Sequence, residues 1–203
     1  MVDQIPLWRP LFTLVLAAAV VMGSPGPSTM SVTAVGAAFG LRRSIRYLSG
    51  LIAGTVAVLL AVATGVMSLL LSVPHAAPVL VAASAAYILY LAYKIATAPP
   101  LSKLDSDVAA PSFLGGFLLA VANPKAYVAI AAVFAGATLA DDPTPDALLK
   151  TAVLALMIVV IHVAWLLAGT SFSRVFYDPR SARLANLAFA IILVATVAIA
   201  FMP

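Results

Sequence analysis

The chain has 203 residues, of which 64% are hydrophobic and only 9% are charged, and its mean hydropathy is +1.15. An ordinary soluble domain is about 45–50% apolar and about 25% charged, so this composition excludes a water-soluble globule and indicates a protein embedded in lipid. The absence of Cys excludes a disulfide scaffold and a thiolate metal site, and we interpret the net charge of +4 as membrane topology rather than nucleic-acid binding.

Six apolar runs follow one another along the chain, and a spanning helix needs about 20 apolar residues. The runs cover residues 7–41, 47–73, 76–98, 113–140, 147–172 and 184–202. The sequence therefore predicts an all-α integral membrane protein with six transmembrane helices in a single transmembrane domain over residues 1–203. Residues 1–9 carry one basic residue and no clean A-x-A cleavage site follows, so we expect the first run to be a span rather than a cleaved leader.

The distribution of Lys and Arg predicts the orientation of these spans. One side of the predicted membrane carries eight of them: Arg42, Arg43, Arg46, Lys94, Lys103, Arg174, Arg180 and Arg183. The other side carries Arg9 and Lys150, and Lys125 lies inside a span. The positive-inside rule places the eight in the cytoplasm. We therefore expect a multi-pass membrane protein with both termini outside.

The first run contains a break. Its 35 residues would make a helix of about 52 Å, which is too long for a simple span, and Ser24-Pro25-Gly26-Pro27 interrupts it. The two prolines remove backbone donors and the glycine between them is loosely constrained. About 24 Å of helix separates Arg9 from this interruption, so we expect the break near the bilayer midplane.

The fourth run is interrupted in the same way by Asn123-Pro124-Lys125. Pro25 and Pro124 are 99 residues apart, close to half the chain. We therefore predict an inverted 3+3 repeat, with units over about 1–100 and 101–203 and broken helices one and four. Interrupted segments at corresponding positions of two halves are typical of secondary transporters and indicate a substrate site at the midplane. The alternative is a pair of proline kinks that only shape the packing.

Lys125 is the principal candidate for the site, because an ionisable residue inside a span is costly and marks function by default. No Asp or Glu lies within a predicted span, so a substrate carboxylate is the expected partner of the ammonium, helped by the N-terminus of the half-helix that begins at Ser28. A snorkelling or neutral structural lysine is the alternative. The predicted substrate-binding set is Pro25, Gly26, Pro27, Ser28, Tyr87, Asn123, Pro124 and Lys125. Ser24 and Thr29 also flank the first break, where they either contact substrate or satisfy freed backbone groups.

Three further features leave two interpretations open. His162 is the titratable group of the fifth span, and it acts either as a proton relay or as a packed helix residue. Tyr87 shares a helix face with Tyr90 and Lys94, which fits a cavity wall or an interfacial aromatic belt. The pairs Gly36/Gly40 and Gly50/Gly54 permit close helix contact, either inside one chain or in a homodimer.

Three motifs resemble those of the lysine-exporter type translocators, the LysE/RhtB superfamily of amino-acid exporters. They are Ser24-Pro25-Gly26-Pro27, residues 85–91 with Lys94, and residues 113–117 followed by Asn123-Pro124-Lys125-Ala126, and they occur in the family's order over nearly the whole chain. The resemblance implies efflux of small metabolites, typically amino acids, driven by the proton gradient or by exchange. The chain departs from the family pattern in the second helix, where Thr55 follows Gly50–Gly54 and many members have an Asp.

We therefore expect a secondary-active exporter in the bacterial inner membrane that works without a cofactor or metal. Its expected substrates are amino acids or similar small metabolites that are neutral or carry a carboxylate. An enzyme is not expected, because no nucleophile–base pair or metal-ligand cluster is present in the sequence. A non-transporting membrane scaffold or assembly factor and a passive channel for small solutes are the alternatives.

Overall fold

The computed structural model describes residues 7–65, 76–97, 110–171 and 178–200. All the regular secondary structure in these ranges is helical. The elements in chain order are α1 (Trp8–Ala17), a π-helical turn (Ala18–Met22), α2 (Pro27–Ala63), α3 (Ala76–Ala96), α4 (Phe113–Ala122), α5 (Pro124–Ala135), α6 (Pro143–Ser171) and α7 (Pro179–Ala200). Within the described ranges α2 and α6 are long and apolar enough to cross a membrane, and α4 with α5 would make a third, bent span. The predicted all-α membrane class is confirmed at this level.

The helix α2 is not a straight rod, because it turns back on itself at Gly40 (φ 73°, ψ 171°). The Tyr47 hydroxyl donates a hydrogen bond to Ser31 Oγ at 3.0 Å, whereas 16 residues of straight helix would separate them by about 24 Å. Ser44 Oγ likewise reaches the Val35 carbonyl at 3.1 Å. Residues 27–39 and 41–63 are therefore the two arms of a helical hairpin, and a glycine at the turn accepts the positive φ without steric cost.

The predicted start of the second span at residue 47, which leaves Arg42, Arg43 and Arg46 between spans one and two, is wrong. These residues lie inside the second arm of α2, which begins directly after the turn rather than at residue 47. A single glycine with positive φ reverses the chain, so no longer connection is needed. The last part of the predicted second span, residues 66–73, lies outside the described residues. The fourth run also ends earlier than predicted, since α5 ends at Ala135 rather than at residue 140.

The predicted interruption of the first run is confirmed. The π-helical turn ends at Met22, residues 23–26 are not helical, and α2 begins at Pro27. Proline suits the first position of a helix, where its missing N–H has no intrahelical partner anyway. The Gly26 N–H donates to Thr29 Oγ1 at 2.9 Å, which satisfies one backbone donor freed by the break.

The predicted interruption of the fourth run is also confirmed. Asn123 is extended (φ −78°, ψ 105°), as expected for a residue before proline, and α4 and α5 are bent by 62° at this point. The Asn123 side chain caps α5, because its Oδ1 accepts a hydrogen bond from the Lys125 N–H at 3.1 Å. Both breaks therefore end in a newly started helix whose first residue is proline.

Glycines bring the second arm of α2 into backbone contact with α4. A Cβ added at Gly54 would lie 2.6 Å from the Phe117 carbonyl oxygen, and one added at Gly116 would overlap the Tyr47 carbonyl. The close contact of small residues is how membrane helices pack without a hydrophobic driving force between them. The Gly50/Gly54 pair therefore packs two helices of the same chain together.

The first arm of α2 packs in the same manner against α6. A Cβ at Gly36 would lie 2.7 Å from Leu166 Cδ1, and one at Gly169 would overlap the Thr33 carbonyl. The two arms of one hairpin are thus fixed to two different helices, α4 and α6. This arrangement places the start of α2, and with it the first break, beside α6.

Large apolar side chains cover much of the outer surface. Trp8, Phe12, Val128, Leu156 and Ile191 are between 61% and 71% exposed. Soluble monomers rarely expose large contiguous apolar surface, whereas lipid requires it, so the surface agrees with the composition in indicating a membrane-embedded protein.

Lys150, which the charge distribution predicts on the outer side, is buried near the start of α6. Its Nζ lies 2.6 Å from Asp146 Oδ2 and donates to the Ala137 carbonyl at 3.1 Å. Asp146 Oδ1 accepts from the Leu139 N–H at 2.6 Å. Since α6 begins at Pro143 rather than at residue 147, this Asp belongs to its first turn, and the ion pair fastens the preceding connection to the helix.

Candidate functional site

A narrow cleft with a volume of about 40 Å³ lies where the two broken regions meet α6. This volume is smaller than the range of about 300–1,000 Å³ that is usual for occupied small-molecule sites. Its walls come from the first break and the start of α2, from the second arm of α2, from the second break and α5, and from the middle of α6. The lining residues are Met22, Ser24, Gly26, Ser28, Thr29, Thr55, Asn123, Lys125, Ala126, Ala129, Ile130, Ile158, Ile161 and His162.

The Lys125 ammonium reaches across this cleft to the first break. Its Nζ donates hydrogen bonds to the Ser24 carbonyl at 2.7 Å, to Ser24 Oγ at 2.8 Å and to the Pro25 carbonyl at 2.8 Å. An ammonium has three donors, so neutral oxygens of the chain take all three. Within the described ranges no carboxylate forms an ion pair with Lys125. Lys125 therefore joins two breaks that are about 100 residues apart in the chain.

Gly26 provides the space for this contact. A Cβ at Gly26 would lie 2.7 Å from both Cδ and Nζ of Lys125. The backbone of Gly26 is extended (φ −174°), a conformation open to any residue, so it is the volume of a side chain and not the backbone that the position excludes. A larger residue would push the lysine stem away from the break.

A second polar contact joins the two breaks directly. Asn123 Nδ2 donates to Ser28 Oγ at 2.9 Å, and both side chains are buried. Since Ser28 lies in the first turn of α2 and Asn123 caps α5, the N-termini of two helices meet at the cleft. Helix N-termini carry a positive partial charge and free N–H groups. Together with Lys125, they make this part of the cleft suited to an anion.

His162 lies on the α6 wall of the cleft and is 5% exposed. Its Nδ1 is 2.8 Å from the Ile158 carbonyl oxygen, one helical turn earlier. Its Nε2 is buried and has no hydrogen-bond partner among the described residues. The imidazole is therefore only half satisfied by the protein.

Thr55 and Trp165 belong to the site although sequence reasoning did not select them. Thr55 lines the cleft from the second arm of α2. It stands where many family members have an Asp, and this departure was the one feature of the sequence that could have indicated its place in the cleft. Trp165 donates from Nε1 to the Gly23 carbonyl at 3.1 Å and so ties the first break to α6. An apolar helix gives no sequence signal for such a contact.

The structure brings together most of the predicted site residues. Gly26, Ser28, Asn123, Lys125 and His162 line the cleft. Pro25 contacts Lys125 through its carbonyl, whereas Pro27 and Pro124 begin the two helices next to it. Tyr87 lies on α3, but its side chain is outside the described part of the structure.

Comparison with known proteins gives one family. Residues 19–202 match the family model described as LysE type translocator. The chain is 34% identical over 173 residues to the cysteine/O-acetylserine efflux proteins of Escherichia coli strain K12 and of Shigella flexneri, covering 84% of this chain and 87% of each relative. The protein of the same name from Escherichia coli O139:H28 is 33% identical over the same shares. No solved structure matches at a significant level.

Proposed function

We propose that the chain, which belongs to the LysE type translocator family, is a secondary-active carrier of small zwitterionic amino acids with an uncharged side chain. The family and the relatives make it an amino-acid exporter rather than an enzyme. The curated relatives at 34% identity are cysteine/O-acetylserine efflux proteins, and O-acetylserine and cysteine are the first substrates to test. The site is the cleft between the two breaks, and its binding residues are those predicted from the sequence: Pro25, Gly26, Pro27, Ser28, Tyr87, Asn123, Pro124 and Lys125.

The observation that carries this proposal is the position of Lys125. Its ammonium lies at the junction of the two breaks, with two helix N-termini beside it, and such termini point at anionic substrate groups in other secondary transporters. No Asp or Glu is among the residues that line the cleft. A substrate carboxylate is therefore matched by the site, whereas a cationic side chain is not.

The contacts of Lys125 also supply a conformational element. Its three acceptors belong to the first break, and Lys125 itself belongs to the second. A substrate carboxylate that takes over one or more of these hydrogen bonds loosens the connection between the two broken helices. Substrate binding thereby favours a different arrangement of the two halves, as alternating access requires.

The proposal includes six spans as an inverted 3+3 repeat, with units over about 1–100 and 101–203. The reversal at Gly40 supports two antiparallel spans within residues 7–63, and the two breaks occupy matching positions 99 residues apart. The bacterial relatives support an inner-membrane location. The excess of Lys and Arg on the side that the positive-inside rule places in the cytoplasm supports both termini outside.

Counterflow in proteoliposomes tests the function. Vesicles loaded with unlabelled O-acetylserine are expected to accumulate external labelled O-acetylserine transiently, because a carrier exchanges its substrate across the bilayer. A passive channel equilibrates the label without this overshoot, and a scaffold or assembly factor gives no uptake. Lysine and glutamate serve as the charged comparison substrates, for which we expect weaker exchange. Absence of counterflow for every amino acid in a broad panel would refute the proposal.

A further inference from the structure

The hydrogen bonds of His162 determine which of its ring nitrogens faces the cleft with a lone pair. Nδ1 lies 2.8 Å from the Ile158 carbonyl oxygen. A carbonyl oxygen only accepts hydrogen bonds, so Nδ1 carries the proton. In the neutral imidazole Nε2 is then the unprotonated nitrogen and a hydrogen-bond acceptor. This acceptor is buried, lines the cleft and has no partner in the described part of the chain.

Resting on the proposed function, we propose that His162 Nε2 accepts a hydrogen bond from the α-ammonium of the exported amino acid, and that a proton bound at Nε2 excludes the substrate. The carboxylate of the same substrate lies at Lys125. The carboxylate and the ammonium of a zwitterion thereby bind to two residues on different helices, Lys125 on α5 and His162 on α6.

The composition of the cleft supports this division. An ammonium needs acceptors, and no carboxylate lines the cleft to provide one. The Asn123 amide is already used in bonds to Ser28 and to the Lys125 N–H. The Thr55 hydroxyl donates to the Leu51 carbonyl at 2.8 Å. A buried acceptor without a partner costs free energy that a bound donor removes, which makes Nε2 the side-chain atom with the most to gain from an ammonium.

The charged surroundings of His162 are simple. Among the cleft-lining residues contributed by the π-helical turn, α2 and α5, which face α6 across the cleft, Lys125 is the one titratable side chain. On α6 itself, Asp146 and Lys150 pair with each other at least 12 residues before His162, which is about 18 Å along the helix. Among these groups, Lys125 is thus the one whose charge lies near His162 when the imidazole takes up a proton.

Mutual exclusion of proton and ammonium at one atom would couple export to the proton gradient. When Nε2 is bare it accepts the substrate N–H. When Nε2 is protonated it becomes a donor and the ring carries a positive charge, so the ammonium loses its acceptor and is repelled. A proton taken up at Nε2 on the outer side therefore displaces the substrate there. The same proton must leave Nε2 on the inner side before the next substrate binds, so one proton enters for each amino acid exported.

The first test compares an amino acid with its analogue lacking the amino group. The probes are O-acetylserine and 3-acetoxypropanoate as inhibitors of counterflow at a pH of about 8, well above the ordinary histidine pKa of about 6.5. In the wild type we expect the analogue to inhibit at least about tenfold more weakly, as for the loss of one good hydrogen bond. In His162→Leu we expect O-acetylserine to weaken to the level of the analogue, with the analogue itself unchanged. Equal inhibition by both probes in the wild type, or full discrimination retained by His162→Leu, would overturn the inference.

The second test uses the pH dependence and does not require the Leu variant to fold. Between a pH of about 8 and about 5, we expect the half-saturation concentration of O-acetylserine in the wild type to rise at least about twofold, while the inhibition constant of 3-acetoxypropanoate stays constant. His162→Gln places an amide oxygen near the position of Nε2 but takes up no proton. Its counterflow should no longer depend on pH over this range, and it should lose uphill transport driven by a pH gradient.

The outcomes separate the two proposals. If the wild type exchanges no amino acid, the proposed function fails and this inference fails with it. If the wild type exchanges amino acids but its half-saturation concentration is independent of pH, or if His162→Gln keeps gradient-driven transport, the inference alone is overturned and Lys125 remains the centre of the site.

Discussion

Replacing Lys125 by Met separates a transport role from a structural one. Methionine keeps the length and the apolar stem of lysine and removes the charge and its three hydrogen bonds to Ser24 and Pro25. Hydrogen bonds between helices in a membrane average about 0.6 kcal/mol each, so their loss costs about 2 kcal/mol. The removed ammonium had itself cost about 2.5–3.5 kcal/mol to place in the membrane. The two contributions nearly cancel, and the free energy of unfolding should change by no more than about 1–2 kcal/mol.

Transport should respond quite differently. If the substrate carboxylate binds the ammonium, Lys125→Met loses at least about 1.4 kcal/mol of substrate interaction, which is a tenfold drop in exchange. Lys125→Arg should fail as well, because Nζ fits within 2.8 Å of three oxygens and the planar guanidinium is wider. The assay is counterflow of labelled O-acetylserine per folded protein, with folding measured by thermal denaturation in detergent.

Lys150→Met is the matched control, because the Lys150 ammonium also donates a hydrogen bond to a backbone carbonyl but lies outside the cleft. Its exchange rate per folded molecule should stay within about twofold of the wild type, on the premise that transport depends on groups in the cleft. If Lys125→Met exports at the wild-type rate with an unchanged pH dependence, Lys125 is a structural link between the breaks and the carboxylate binds elsewhere.

Three further predictions follow from the packing and the topology. Gly116→Ala would drive a Cβ into the Tyr47 carbonyl and should cost about 1–3 kcal/mol of stability as an overpacking change, seen as a lower Tm in detergent. Lys150→Met leaves the carboxylate of Asp146 without its ion-pair partner and should cost about 3 kcal/mol, at the lower end for a broken buried pair; a Tm equal to that of the wild type would contradict this. A Cys placed at Arg180 should react with an impermeant thiol reagent only in inverted vesicles, and one at Asp142 only in sealed cells; the reverse pattern would invert the topology.

The sequence by itself determined that this protein is embedded in lipid and where its two helix breaks lie. Composition alone separates a lipid-embedded chain from a soluble one, because lipid and water demand opposite surfaces. Proline acts locally, since it removes a donor and clashes with the preceding turn, so the interruptions before Pro27 and Pro124 follow from the residues themselves. An isolated lysine in an apolar run is likewise visible in the sequence, and it gives a hypothesis for a functional site because a charge inside a membrane is costly.

Only the tertiary structure decided what these local features contact. The reversal at Gly40 was hidden because glycine in an apolar run is equally suited to close packing, to dimerisation and to a turn with positive φ; its neighbours Gly36 and Gly50 serve the first of these. The oxygens of Ser24 and Pro25 that bind the Lys125 ammonium are about 100 residues away in the chain. The free Nε2 of His162 depends on which atoms surround a helix face after packing. Such long-range contacts arise when separate helices assemble, and no local pattern of side chains encodes which ones will meet.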